Sequence, residues 1–275
     1  LLPWGGVRSE SFHFDGTRFA KSKVATQAPV GGPATALVPR AEITTRQADP
    51  PSPRQQKGGD LSQQILDQYR RDHGVGADVQ PRTDLQVHVD GDSRPERVVL
   101  IGRDVVVFGP GFKGGTTYAF LTLQQFADPA DIKDLVARDL NGNGAADLIV
   151  RGVRHVVAQG GDAKPGQKAP STSLDMEVTF IYELKAGAIT RVFSVETARE
   201  QGAKRVQGLV QFIPAKSGGS FEIDVRPGRA VGWTEQTYPW SQEQPGTGAL
   251  EPLLLPWGGI PSLRYTWNGT AFAKP

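Results

Sequence analysis

The stretch LVARDLNGNGAADLIV (Leu135–Val150) decides how this chain is read. It opens and closes on short apolar runs of strand type, and a nine-residue polar turn, Asp139–Asp147, lies between them. Asp139, Asn141, Asn143 and Asp147 stand at positions 1, 3, 5 and 9 of that turn. Alternate residues of a curled loop aim their oxygens inward, and a hard cation such as calcium wants six to eight oxygens at about 2.3–2.6 Å. Gly142 and Gly144 let the backbone curl that tightly, and the carbonyl of Ala145 supplies the backbone ligand. An EF-hand needs a Glu at position 12, where this chain has Val150. The expectation is therefore a strand–loop–strand calcium site. The competing reading is an Asx-rich turn whose side chains cap backbone N–H groups.

Outward from the loop the pattern remains β. Arg97–Val107 is a β-branched run broken by Gly102-Arg103-Asp104, a hairpin signature. Leu174, Met176, Val178, Phe180, Tyr182 and Leu184 alternate strictly, which predicts a strand with one buried face. Further strands are expected over 188–195, 206–213 and 221–225, with a polar loop over 160–173. One short helix is expected at about 60–73, with Asp60 as N-cap, Leu61, Ile65, Leu66 and Tyr69 on one face, and Gly74 at its end. A weaker helical pattern covers Gln124–Asp134. The fold class is mainly β: antiparallel sheets with calcium-loop hairpins.

The segment ARDLNGNGAADLIVRG resembles the repeat of the FG-GAP/VCBS family, the calcium-loop blades of integrin-α-like β-propellers and many exported bacterial proteins. Asp139, Asn141, Asn143, Gly144, Asp147 and Leu148 match that family's pattern. A second, degenerate copy lies in HVDGDSRPERVVLIG, where Asp90, Asp92 and Glu96 match positions 3, 5 and 9, while His88 replaces the first Asp and Ser93 the Gly. Val107-Phe108-Gly109 is similar to the family's Phe-Gly strand end. The resemblance spans residues 86–154 only, so a complete propeller is not expected. It implies calcium as the cofactor and an exported, extracellular or cell-surface setting.

The two ends of the chain repeat one another. LLPWGGVRSESFHFDGTRFAK (Leu1–Lys21) aligns without gaps on LLPWGGIPSLRYTWNGTAFAK (Leu254–Lys274), with 12 of 21 positions identical. Asp15-Gly16 and Asn268-Gly269 are hairpin-turn dipeptides at matching places; the turn also accounts for the sequon Asn268-Gly269-Thr270. Each copy reads as a β-hairpin. Either the parent is a tandem array of neighbouring repeats, or the N-terminal hairpin docks where the C-terminal one does and drives self-association. Lys23–Gly59 is rich in Pro, Gly, Ala and Gln and has no aromatic residue, a linker composition. The expected organisation is a hairpin at 1–22, a linker at 23–59 and a calcium-loop domain at 60–275.

Composition removes whole classes of chemistry. Without cysteine there are no disulfides, thiolate nucleophiles or Cys-ligated metals. A formal net charge of +2, spread over the chain, gives no basic face for nucleic acid. No apolar run approaches the ~18 residues of a membrane-spanning helix. The opening Leu1-Leu2-Pro3-Trp4 has neither Met nor a charged leader region, and suggests a piece of a longer precursor. His13, His73, His88 and His155 sit at no zinc-ligand spacing, and no nucleophile elbow or phosphate loop is present. Glu196, Arg199 and Glu200 read as a surface ion-pair group. The expectation is a non-enzymatic structural or adhesive module. The alternative is a glycan- or protein-binding module using Trp233, Tyr238 and Trp240; those rings either face a ligand or pack on the Leu-Pro-Trp257 hairpin.

Overall fold

The structure, a computed structural model, describes residues 12–14, 19–21, 53–92, 94–159, 171–216, 218–240 and 250–275. The chain divides into two compact units, Leu1–Asp49 and Pro50–Pro275. In the first, β1 (Phe12–Phe14) and β2 (Phe19–Lys21) form an antiparallel hairpin in the register Phe12–Lys21, His13–Ala20 and Phe14–Phe19.

Among the described residues the second unit is mainly β and holds two antiparallel sheets, one α-helix and neither a closed barrel nor a propeller. Four strands make a meander: β3 (Thr83–Val87), β4 (Glu96–Ile101), β5 (Asp104–Phe108) and β6 (Tyr118–Thr122). Eight make the second sheet, also in chain order: β7 (Ile132–Arg138), β8 (Asp147–Gln159), β9 (Ser171–Lys185), β10 (Ala188–Gln201), β11 (Lys204–Pro214), β12 (Phe221–Val231), β13 (Leu263–Trp267) and β14 (Phe272–Ala273).

Three apolar layers hold these together. Ile65, Leu66 and Tyr69 of the helix α1 (Pro53–His73) cover Val99, Ile101, Val106 and Phe108 on the outer face of the four-stranded sheet. The inner face of that sheet, through Val98, Leu100, Val105 and Val107, packs on Leu148, Val150, Val178 and Phe180 of the larger sheet. The unbroken β-branched run in β4 and β5 follows from this: both faces are buried, so no polar alternation is required. On the far side the larger sheet curls on itself. Ile149 and Ile181 share a core with Ile223, Val225, Tyr265 and Phe272, and the Phe221 N–H donates to the Leu140 carbonyl across the curl at 2.7 Å. Register shifts in β10 at Arg191/Phe193 and Glu196/Ala198 supply part of the bend.

Three expectations change. The helix begins at Pro53, seven residues before the expected N-cap Asp60; proline is tolerated at a first helical position because its missing N–H has no intrahelical partner there. Gln124–Asp134 is not helical. Pro129–Asp131 forms a single 3-10 turn capped by Asp128, and β7 starts at Ile132. The periodicity there came from the strand's buried Ile132 and Leu135 joined to a turn. The alternating residues of β9 are buried as expected, but Thr179, Ile181 and Glu183 on its other face are buried too, because the curl covers them. The predicted polar loop at 160–173 lies outside the described residues up to 170.

Candidate cation-binding site

The Asp139–Asp147 loop joins β7 to β8, whose pairing runs up to Arg138–Asp147. Gly142 and Gly144 adopt φ of 78° and 85°, as a tight curl requires. Asp139 accepts the N–H groups of Gly142 at 2.7 Å and Gly144 at 2.9 Å. The Asn141 side chain accepts from the Asn143 N–H, that of Asn143 from the Ala145 N–H, and Asp147 from the Leu140 N–H at 3.0 Å. Both Asn amides donate to Glu183 of β9, at 3.2 and 3.1 Å. Glu183 has no place in the loop motif, and the polar face of the alternating strand was its only trace in sequence. Asp147 is 1% exposed. Its pKa is pushed up to about 7, by burial first and by the charges of Glu183 and Asp139, against the pull of the Leu140 N–H. Each of the loop's four oxygen-bearing side chains therefore accepts a backbone N–H of the turn, with Asn141 and Asp147 buried and Asn143 exposed.

The β3–β4 connection is built differently. Asp90 accepts from the Asp92 N–H at 3.0 Å, and Asp92 from the Arg94 N–H at 2.6 Å. Glu96, at the start of β4, is 0% exposed. One of its oxygens, Oε2, accepts the Val89 N–H at 2.9 Å, whereas Oε1 has no hydrogen-bond partner among the described residues. Carboxylate oxygens of Asp90, Asp92 and Glu96 lie within 4.8 Å of one another. Burial foremost raises the pKa of Glu96, with the charges of Asp90 and Asp92 adding to it and the Val89 and Asp90 N–H groups opposing. Asp92 is held low, chiefly by the Arg94 N–H.

The third wall comes from the β5–β6 connection, at Gly111. A Cβ there would run into Glu96 Oε1 and sit 2.6 Å from the Arg94 carbonyl and 3.0 Å from Asp92 Oδ1. These oxygens converge on the Gly111 backbone, in a place that no side chain could share with them. An unpaired carboxylate oxygen buried this deeply costs free energy unless something positive meets it. Three carboxylates and a carbonyl form an all-oxygen set suited to a hard cation and poorly suited to zinc or copper.

The aromatic residues pack on one another. Trp233 is 5% exposed, and Trp233, Tyr238 and Trp240 stand 5.2–5.5 Å apart in edge-on contacts. Tyr238 meets Trp257 of the C-terminal segment at 5.5 Å. Arg199 donates to the Tyr238 hydroxyl at 3.0 Å and lies 5.7 Å over the Trp240 ring. The same Arg199 pairs with Glu196, whose side chain is 1% exposed. The Glu196–Arg199 pair is thus a buried anchor for the Trp233–Trp240 loop, not the surface group read from sequence. Only Glu200, paired with Arg205 at 2.6 Å, lies at the exposed strand end.

Among the described residues no helix is long and apolar enough to cross a membrane. Set against family models, curated proteins and solved structures, the chain matches none of them.

Proposed function

We propose that this chain is a non-enzymatic, calcium-stabilised β module that serves a structural or adhesive role in an exported bacterial protein. The observation that carries this reading is the buried Glu96 oxygen, without a partner among the described residues, beside Asp90, Asp92 and the side-chain-free Gly111. The Asp139–Asp147 loop is a second, lesser candidate, with Asp139, Asn141, Asn143, Asp147 and the Ala145 carbonyl as its ligands. The resemblance of residues 86–154 to FG-GAP/VCBS repeats supports calcium over other hard cations and supports an extracellular setting.

A ligand that binds only the folded chain raises stability by mass action, about 2.7 kcal/mol at a hundredfold excess over Kd. For a unit of this size that is roughly 5–10 °C in Tm. Thermal melts of the whole chain in calcium and in chelator are expected to differ by that amount, and Gly111→Ala is expected to erase the difference. Identical melting curves would sink the reading.

A second reading concerns partners. The C-terminal hairpin pairs Thr266 with Ala273 and Trp267 with Phe272; these are the aligned counterparts of His13–Ala20 and Phe14–Phe19 in the N-terminal hairpin. The matched register favours self-association, or contact with neighbouring repeats of the same protein, through a shared hairpin slot.

A further inference from the structure

Both walls of the Asp90–Asp92–Glu96 cradle belong to the four-stranded sheet, and both touch the eight-stranded one. The β3–β4 wall does so through its backbone. The Ala146 N–H, in the Asp139–Asp147 loop, donates to the His88 carbonyl at 2.7 Å. The next residue, Val89, is buried in the core shared by the two sheets, and its own N–H is held by Glu96. The β5–β6 wall does so through side chains. Phe112, next to Gly111, is 1% exposed in that same core. Lys113 lies over the β9–β10 turn so closely that a Cβ on Gly187 would stand 2.6 Å from its Cε. Lys113 reaches that position with a φ of 44°, a left-handed conformation a lysine adopts only under constraint.

From this placement we infer that a divalent cation in the cradle acts as a clasp between the two sheets, so that binding there also orders the Asp139–Asp147 loop and the β9–β10 turn. This rests on the calcium reading above. A cation meeting Glu96 Oε1, Asp90, Asp92 and the Arg94 carbonyl draws the β3–β4 connection toward Gly111. Glu96 is the pivot. One oxygen faces the cradle while the other fixes Val89, one residue from the carbonyl that holds Ala146. By linkage, ordering of the Asp139–Asp147 loop raises cation affinity by the same factor that the cation raises loop order.

Hydrogen exchange of the full chain in calcium and in chelator, paired with calorimetric titration of calcium, tests this. Calcium is expected to slow exchange at least about tenfold in three separated segments, 88–96, 140–147 and 184–190. Glu96→Gln is expected to weaken calcium binding and to abolish all three protections together. Lys113→Ala lies outside the ligand set and is expected to leave calcium binding measurable while reducing protection of 184–190 alone. Calcium binding with protection confined to 88–96 would overturn the clasp and leave the calcium reading standing. An absence of binding heat would remove both.

Discussion

Glu96 and Asp139 show what single residues do and do not disclose in a sequence. Asp139 begins the stronger motif, yet its oxygens are engaged by Gly142 and Gly144 N–H groups. Glu96 ends the weaker motif, and one of its oxygens has no partner among the described residues. Spacing reports which side chains converge. Burial and backbone geometry decide which are already satisfied, and Gly111, the third wall, lies fifteen residues beyond Glu96 in another connection. The same limit applies to Glu196 and Arg199. Three-residue spacing on a strand end looks like a solvated pair, and only the packing of Trp240 and Tyr238 removes it from water. A buried pair is strongly asymmetric to mutation, because deleting one partner strands the other charge. Glu196→Ala is expected to cost about 3–5 kcal/mol in denaturant unfolding, whereas the double change Glu196→Leu with Arg199→Met is expected to cost far less. Equal losses from the two would contradict a buried pair.

At the scale of elements, the strands were legible and the helix boundaries less so. Strand alternation marks the inward face of β9 directly, while the burial of its second face depends on β12 and β13 arriving across the curl. One element contact with a clear pH signature joins β8, β9 and the 3-10 turn before β7. His155 of β8 bonds Asp175 of β9 at 2.7 Å and Asp131 of the turn at 3.0 Å. The Asp175 bond first, then that to Asp131, raises the His155 pKa above its ordinary 6.5. A group with a raised folded-state pKa stabilises fully below its unfolded value and loses that contribution as pH rises through the folded one. His155 is half exposed, so solvent screening keeps the effect small. Melting temperature is expected to decline from pH 6 upward through neutrality, as His155 loses its proton and as Asp147, whose pKa is pushed up to about 7, ionises, and His155→Gln is expected to reduce that slope without abolishing it. An unchanged slope in the variant would assign the pH dependence elsewhere.

For the whole molecule, the mainly β class and the absence of a closed propeller were readable from periodicity and motif count, while the three-layer stacking was not. No local pattern states that α1 covers the four-stranded sheet or that the larger sheet curls. The end-to-end repeat was the clearest long-range signal, and its two hairpins share one register. The C-terminal copy is seated by Phe193 against Tyr265 at 4.8 Å, by the Tyr265 hydroxyl on Glu251 at 2.7 Å and by Lys274 on Glu251 at 3.2 Å. In the N-terminal copy Phe12 keeps the ring without the hydroxyl, and Lys21 keeps the cation. If residues 1–21 mediate self-association, their deletion is expected to lower the mass measured by light scattering at high concentration without changing the melting temperature of the remaining module. An unchanged mass would withdraw the partner reading.

Strand order has one more consequence. Within each sheet every strand pairs with its neighbour in the chain, so most ladder contacts close short loops and cost little chain entropy. This neighbour-to-neighbour order favours stepwise growth of each meander from its hairpins. The contacts that must wait include those that jump: Ala146 to His88, Leu140 to Phe221, and the parallel bridge of Val195 with Glu251. Closing the curl and packing one sheet on the other are then the steps with the largest loop-closure cost.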